Sequence, residues 1–305
     1  MAMEIPLPAD NGRQHQQSPR LRLGHGAKRD QARTEPSRTE RPDEIHHQKG
    51  EPNMTTWITV ANRKGGVGKT TTATHLAHAL ALNGHTALLI DMDPQGHAAI
   101  ALGIDQEPGL FNLLIAGREP WDVIRSTRHQ HLKIIPSNSR TATAERIAML
   151  ESRDPNELAV ALIGVKPDYI ILDTPPNGWF SEAGIYMADV LVIPTALDVL
   201  ALDGVRAAME LAKKVREEHR QLDQIHILPV MQDRTIESRT NLEILETAFD
   251  GMLARPIPRR VAMREAVAEG KTLFEYRPSS DAAQAYMDLA LRIQETAQEA
   301  LYHAD

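Results

Sequence analysis

The stretch that decides the fold is Asn62-Arg63-Lys64-Gly65-Gly66-Val67-Gly68-Lys69-Thr70-Thr71. Ahead of it, Trp57-Ile58-Thr59-Val60-Ala61 is a short apolar, β-branched run suited to a buried strand. Behind it, residues 72–83 are rich in Ala and Leu and read as a helix. A glycine-rich turn between a strand and a helix N-terminus points backbone N–H groups into one concavity, with the helix dipole behind them. That is an anion site suited to phosphates. Gly65, Gly66 and Gly68 let the backbone come close to a ligand, with Val67 and Thr71 completing the cradle. Lys69 has the reach for β- and γ-phosphates, and the Thr70 hydroxyl is placed to ligate Mg²⁺.

The general phosphate-loop pattern G-x-x-x-x-G-K-[ST] fails at its first glycine, where Arg63 stands. K-G-G-x-G-K-T takes its place, with a second lysine, Lys64, at the start of the loop. In this the stretch resembles the deviant P-loop of the ParA/MinD group of ATPases, and the partition ATPases of the ParA/Soj type in particular. The resemblance implies an ATP-dependent homodimer in which Lys64 crosses to the partner's nucleotide, acting as arginine fingers do elsewhere.

Two further strand ends carry carboxylates. Leu88-Leu89-Ile90-Asp91-Met92-Asp93-Pro94-Gln95-Gly96 ends a strand with Asp91 and Asp93 two apart, able to face the crevice where open α/β sheets bind ligands. D-x-D-P-Q-G resembles the family's switch region, which implies that Asp93 orients the attacking water while Asp91 supports the Mg²⁺ shell. Tyr169-Ile170-Ile171-Leu172-Asp173-Thr174-Pro175-Pro176 is an apolar strand ending in Asp173, the arrangement that holds Mg²⁺ directly or through water. Lys64, Lys69 and Asp93 are thus the candidate catalytic residues, and Thr70, Asp91 and Asp173 the candidate metal-holding ones.

Composition bounds the function classes. Apolar residues make up 42% of the 305-residue chain and aromatics only 4%, so the core is aliphatic. The chain contains no cysteine, which excludes disulfides, thiolate zinc sites and cysteine-held iron–sulfur clusters. Two relatives sharing the loop, the nitrogenase iron protein and the iron–sulfur carrier ATPases, are thereby removed. A net charge of −7 requires any nucleic-acid binding to come from a local patch. No run is long and apolar enough to span a membrane and the first residues lack a signal pattern, so a cytoplasmic protein is expected, nucleoid-associated if the resemblance holds.

Residues 1–53 are rich in Arg, Gln, Glu, Pro and His, with no aromatic residue and no periodicity. Such a segment cannot offset its chain entropy by burial and reads as a disordered extension, or as an over-long gene start ahead of Met54. It lacks the apolar stripe that a helix-turn-helix unit needs. Its pair His46-His47 reads as solvated. From residue 54 to 305 strand and helix alternate, which predicts one α/β domain with a doubly wound, mostly parallel sheet flanked by helices. Strands are expected at 57–61, 86–91, 132–135, 169–173, 190–194 and 225–230, with a weaker one at 253–257. Helices are expected at 158–164, 204–219, 241–249 and 284–303. His75 and His78 lie three apart on the first helix with no third ligand in sight, and are expected to pack or face solvent.

The later chain continues the resemblance. The segment 194–204 looks like the one that feeds the family's interface helix, and 228–235 like the one that borders the adenine. With the late I-P-R loop at 257–259, this implies that Met231, Asp233 and Pro258 line the nucleotide. The same resemblance implies non-specific DNA binding and hydrolysis stimulated by a ParB-like partner, with slow intrinsic turnover. Arg234, Arg259, Arg260, Arg264 and Lys271 are the main DNA candidates, with Arg239 and Arg255 beside them. Val261-Ala262-Met263-Arg264-Glu265 departs from the family's V-R-L-S-E by displacing the arginine. Two alternatives share the fold. MinD-type relatives cycle on membranes through a basic C-terminal helix, whereas here residues 284–303 carry Arg292 as their single Lys/Arg. Dethiobiotin synthetase-like and cobyrinate amidase-like enzymes act on small molecules and generally lack the early lysine and D-x-D-P-Q-G.

Overall fold

The computed structural model describes residues 55–218 and 222–302. The elements follow in order: β1 (Thr56–Val60), α1 (Lys69–Leu82), β2 (Ala87–Asp91), α2 (His97–Ala101), α3 (Leu110–Leu114), α4 (Pro120–Val123), β3 (Arg125–Ser126), β4 (Leu132–Ile135), α5 (Thr141–Leu150) and α6 (Glu157–Ala161). The second half adds β5 (Tyr169–Asp173), α7 (Trp179–Tyr186), β6 (Val190–Ala196), α8 (Ala201–Glu218), β7 (Gln224–Val230), α9 (Ile236–Ala248), α10 (Val261–Ala268), α11 (Leu273–Tyr276) and α12 (Asp281–Tyr302). Seven strands form one sheet in the order β3-β4-β2-β5-β1-β6-β7. All pairs are parallel except β3 with β4, the doubly wound architecture that the strand–helix alternation predicts.

Parallel strands covered by helices on both faces must be apolar at every position, and β2 and β5 are buried throughout. Alternate residues then serve two cores. Leu89 and Ile171 join Ile58 and Val60 under α1 and α12, while Leu88, Ile90, Ile170 and Leu172 face α3, α5 and α7. A third cluster lies under α8, built on Leu191, Ile193 and Ile227. Small side chains on α1 (Ala73, Ala77) meet Ala282, Ala283 and Ala290 of α12 in the first core, letting the two helices approach closely.

Helix α1 starts three residues earlier than its composition suggests. Gly68 takes φ 76° as the N-cap, a left-handed conformation that costs glycine nothing, so Lys69 and Thr70 fall in the first helical turn. Gly66, two residues before, is also left-handed at φ 75°. Helix α9 also begins early, at Ile236, because the Thr235 hydroxyl accepts the Ser238 N–H at 3.1 Å and caps it. The strand expected at 253–257 is not a strand. It makes two isolated bridges, Ile227↔Leu253 and Gln232↔Pro258, because prolines at 256 and 258 offer no N–H for a ladder. The two-residue β3 carries no periodicity that could announce it. The readings placed on residues 1–53, including His46-His47, and the helix ends at His219 and His303 fall outside the described residues.

His75 is fully packed inside, stacked on Tyr286 with ring centroids 4.8 Å apart. Leu273 N–H donates to its Nε2 at 3.0 Å, so Nε2 carries the lone pair and Nδ1–H donates to the Thr71 carbonyl at 2.7 Å. The neutral ring satisfies both partners, and a second proton would break the Leu273 bond. Burial accordingly pushes its pKa down to about 4, opposed by the Thr71 carbonyl and by Glu275. Unfolded, the ring titrates near ~6.5 and binds more protons than the native ring across that window, so native stability falls as pH drops from about 6.5 toward 4. His75→Gln should flatten this slope, by roughly 1–3 kcal/mol over the window. Urea denaturation across it is the measurement, and an unchanged slope would place the responsible proton elsewhere.

Candidate functional site

Strand order determines where chemistry can sit. β1 lies between β5 and β6, with β2, β3 and β4 beyond β5 and β7 beyond β6. The chain leaves β1 at its carboxyl end, where such sheets open a crevice. Register then aligns three strand ends, with Val60 opposite Asp173 and Asp91 opposite Asp173. The loop after Val60, the Asp173 carboxylate and the Asp91-x-Asp93 turn therefore meet at one edge.

The loop is held from below by Asn62. This residue is 1% exposed, donates from Nδ2 to the Pro194 carbonyl at 2.9 Å, and accepts the Lys64 N–H on Oδ1 at 2.9 Å. Sequence reasoning did not single it out, and its only signal was an amide side chain at a strand exit. Val67 is buried as the loop's anchor, while Gly65 and Gly66 are exposed and a Cβ on either would meet open space. Lys69 is 7% exposed, and its Nζ donates to the Lys64 carbonyl at 3.2 Å. Burial lowers its pKa, against the attraction of Asp173 and then Asp93.

The two aspartates of the β2–β5 pair are in different states. Asp91 accepts the Asp93 N–H on one oxygen and the Ala98 N–H on the other, both at 3.0 Å, so its carboxylate shapes the turn and starts α2. Burial, and next Asp173, raise its pKa well above the usual carboxylate range. Asp173 is equally buried, yet among the described residues neither of its oxygens has a hydrogen-bond partner of normal geometry. Burial raises its pKa too, with the Thr70 hydroxyl opposing most, Asp93 adding and Lys69 opposing. Two buried, unpartnered carboxylate oxygens beside a hydroxyl are hard donors, and they fit a magnesium ion. Asp93 is half-buried and accepts the Gln95 N–H at 3.0 Å.

Lys64 does not stand in solvent at the loop mouth. Its Nζ donates to both oxygens of Asp198, at 2.7 and 2.6 Å. The segment holding Asp198 was legible as the one feeding α8, but this pairing was not.

Beside the loop opens a cavity of about 510 Å³, lined by Gly68, Thr71, Val230, Met231, Pro258 and Tyr286 among others. Its volume suits an aromatic base. The Gln232↔Pro258 bridge brings Met231 and Pro258 to one wall, and Met231 takes φ 57°, unusual for a side chain of its size. Asp233 does not join them. Its Oδ1 accepts the Thr235 N–H at 3.0 Å and the Thr235 hydroxyl at 2.6 Å, and it lines a second cavity of about 540 Å³. Arg234, Arg239, Arg255 and Arg260 gather around that second cavity.

The basic candidates divide by what holds them. Arg260 is paired bidentately with Asp281, Arg255 with Asp288 at 2.7 Å, and Lys271 with Glu269 at 2.7 Å. Arg259 stands 4.0 Å from Asp233. Arg234, Arg239 and Arg264 are exposed, with no ion pair among the described residues. Arg264 lines the first cavity, and Lys271 lies past the far end of α10 from the arginines.

Comparison with known proteins agrees with this geometry. The family described as "AAA domain" (AAA_31) matches residues 55–226. The sporulation initiation inhibitor protein Soj of Bacillus subtilis is 34% identical over 249 residues, covering 77% of this chain and 97% of that protein. The chromosome-partitioning ATPase Soj of Thermus thermophilus is 34% identical over 247 residues, covering 80% and 97%. Among solved structures, the ATP complex of Cyanothece McdA superposes with a TM-score of 0.70 at 23% identity, over 78% of this chain and 97% of that one, a likeness of fold. Cobyrinic acid a,c-diamide synthase from Mycobacterium smegmatis, with bound ADP and magnesium, superposes at 0.66 and 29% identity, over 80% and 96%.

An unpartnered buried carboxylate weakens the ligand-free fold. Asp173→Asn should therefore stabilise the nucleotide-free protein at neutral pH, by roughly 1–3 kcal/mol. Chemical denaturation checks this, and a destabilised Asp173→Asn protein would show that the carboxylate has a structural partner after all.

Proposed function

Because the chain belongs to the ParA/Soj family of P-loop positioning ATPases, we propose that residues 54–305, preceded by the extension 1–53, form an ATP hydrolase that dimerises on ATP. The ATP dimer binds DNA without sequence preference, and a ParB-like adaptor resets it. The cargo, whether plasmid, chromosome or protein assembly, is set by that adaptor.

Lys64 carries this reading. Within one subunit, Lys69 and the loop N–H groups already serve the phosphates, while the Lys64 ammonium rests on Asp198, with side chains 28% and 40% exposed. A pair that exposed is worth only about 0–1 kcal/mol, so it is readily exchanged for the denser charge of a neighbour's terminal phosphate. Phosphoryl transfer needs in-line positioning and charge stabilisation more than covalent help. Lys69 and the amides of Gly65 through Thr71 hold the β- and γ-phosphates. Thr70 and Asp173 hold magnesium, with Asp91 fixing the neighbouring turn. Magnesium, when bound, neutralises charge on the phosphate oxygens. Asp93, at the exit of that turn, orients the attacking water. Met231, Pro258 and Tyr286 enclose the base, and Asp233 borders it from the adjoining cavity.

The DNA-binding surface is assigned to the unpaired Arg234, Arg239 and Arg264 first. Arg259, Arg260 and Lys271 need only surrender exposed partners. A membrane-cycling role is disfavoured by α12, whose apolar residues Tyr286, Leu289 and Ile293 are spent in the core. Arg292, the single Lys/Arg of residues 284–303, is bound to the Leu253 and Gly251 carbonyls. Cytoplasmic, nucleoid-associated localisation follows from the proposed DNA cycle.

DNA binding measured with ATP, ADP or no nucleotide across a salt series tests the proposal. Binding should be confined to the ATP state and fall steeply with salt, and Arg234→Ala with Arg239→Ala should lower the slope by about one unit per lost phosphate contact. Indifference to nucleotide would sink the reading. Lys64→Ala should lose ATP-dependent dimerisation and at least about 10³-fold in turnover while still binding nucleotide as a monomer. Asp198→Ala, which frees Lys64 and also removes the acceptor of the Leu200 N–H ahead of α8, should dimerise at least as readily as wild type. Sedimentation and phosphate release separate these outcomes.

A further inference from the structure

His78 offers a site that the nucleotide chemistry does not use. It is 1% exposed on α1, and its Nδ1 lies 2.6 Å from the Thr272 hydroxyl. Its Nε2 is buried without a hydrogen-bond partner, and so is Nε2 of His129. The two imidazoles have ring centroids 3.6 Å apart and are tilted by 39° to one another. Glu275 completes the group, its Oε1 standing 3.5 Å from His129 Nε2 and 3.2 Å from Arg128 Nε. The three candidate donor atoms all lie within 4.8 Å of one another. The three-residue spacing of His75 and His78 predicts packing or solvent exposure; tertiary packing turns His75 toward Leu273 and brings His78 two different companions, His129 and Glu275.

We propose that His78 Nε2, His129 Nε2 and Glu275 Oε1 form a structural site for a first-row divalent cation, Zn²⁺ by preference. Two imidazole nitrogens and one carboxylate are a recurrent zinc set, and nitrogen donors disfavour Mg²⁺ and Ca²⁺. Each donor is already oriented by its surroundings. With Nδ1 protonated, the Thr272 hydroxyl accepts the His78 N–H and leaves the lone pair on Nε2, the kind of outer contact that fixes a metal-binding tautomer. His129 is fixed in the β3–β4 turn, where its N–H donates to the Thr127 hydroxyl at 3.0 Å. Glu275 is fixed by its other oxygen, which accepts the Thr272 N–H at 2.9 Å. Burial, followed by the neighbouring His129, His75 and Arg128, holds His78 neutral down to about 3, so its lone pair is available at physiological pH.

Tetrahedral zinc needs donor separations of about 3.3 Å, so the ion draws the cluster together by roughly an ångström. Among the described residues Arg128 is the cation paired with Glu275, and it is half exposed, so releasing its hold costs about 1 kcal/mol or less. The fourth position is left to water, since His129 and Glu275 side chains are 23% and 17% exposed and open a path. Bound there, the ion ties three elements together: α1, which carries Lys69 and Thr70 at its start, the β3–β4 turn, and α11. The proposal is independent of the ATPase reading.

The test uses the full-length, nucleotide-free protein, stripped by chelation and kept in excess Mg²⁺ to occupy the carboxylates near the loop. Zn²⁺ is titrated against a chromogenic chelator, and Co²⁺ is added separately for its visible ligand-field bands. Wild type should take up one more tightly held equivalent than either His129→Ala or Glu275→Gln, or hold it at least about tenfold more tightly. Wild type should also show tetrahedral Co²⁺ bands that both variants lack. Zn²⁺ should raise the Tm of wild type by a few degrees and leave that of the variants unmoved. Equal uptake by wild type and variants, or no uptake by wild type, overturns the site. Glu275→Gln alters a partly exposed surface group and decides the question even if His129→Ala folds poorly.

Discussion

A carboxylate with no hydrogen-bond partner of normal geometry among the described residues, sunk in the end of a parallel sheet, is the constraint on which the rest of the molecule depends. Asp173 sits where β5 stops between β1 and β2, in register with Val60 and Asp91. Keeping it ionised there requires cations at close range, and Lys69 with the Thr70 hydroxyl, both in the first turn of α1, are what the fold provides. An isolated domain does not gain stability from such an arrangement. Under the proposed function, an ion and a phosphate chain would offset that cost, and the arrangement is preorganised for them.

That arrangement needs α1 to be immovable, which explains the shape of the surrounding core. Ala73 and Ala77 let α12 lie close against α1, while Leu76 and Leu80 fill the space above β1 and β2. His75 bridges Thr71 in the helix and Leu273 in α11 through both ring nitrogens. The helix that presents the phosphate lysine is thereby fastened to the C-terminal part of the chain, more than 190 residues further along. Through Tyr286, Leu289 and Ile293, α12 is thus a structural member of the core.

Lys64 and Lys69 show how position separates two identical side chains. Lys69 is buried at the helix start and donates to the Lys64 carbonyl of the loop, whereas Lys64 is half-buried at the mouth and held by the exposed Asp198 carboxylate. One is built into the loop, and the other is held by a partly exposed ion pair. The difference follows from five residues of chain and the reversal of direction at Gly66 and Gly68.

The sequence by itself determined the α/β class, the phosphate loop, the carboxylates at 91, 93 and 173, and the family. These depend on local order: a strand, a glycine turn and a helix adjacent in the chain leave one geometry, and an apolar strand ending in Asp has one edge to point from. Only the tertiary structure decided that Asp198 holds Lys64, that Asn62 props the loop on Pro194, that Asp233 turns to Thr235 instead of the base cavity, and that His78 meets His129 and Glu275. Each of these joins residues with separate sequence contexts, or chooses between a near and a far partner. Strand order and helix packing make that choice, and no periodicity along the chain encodes it.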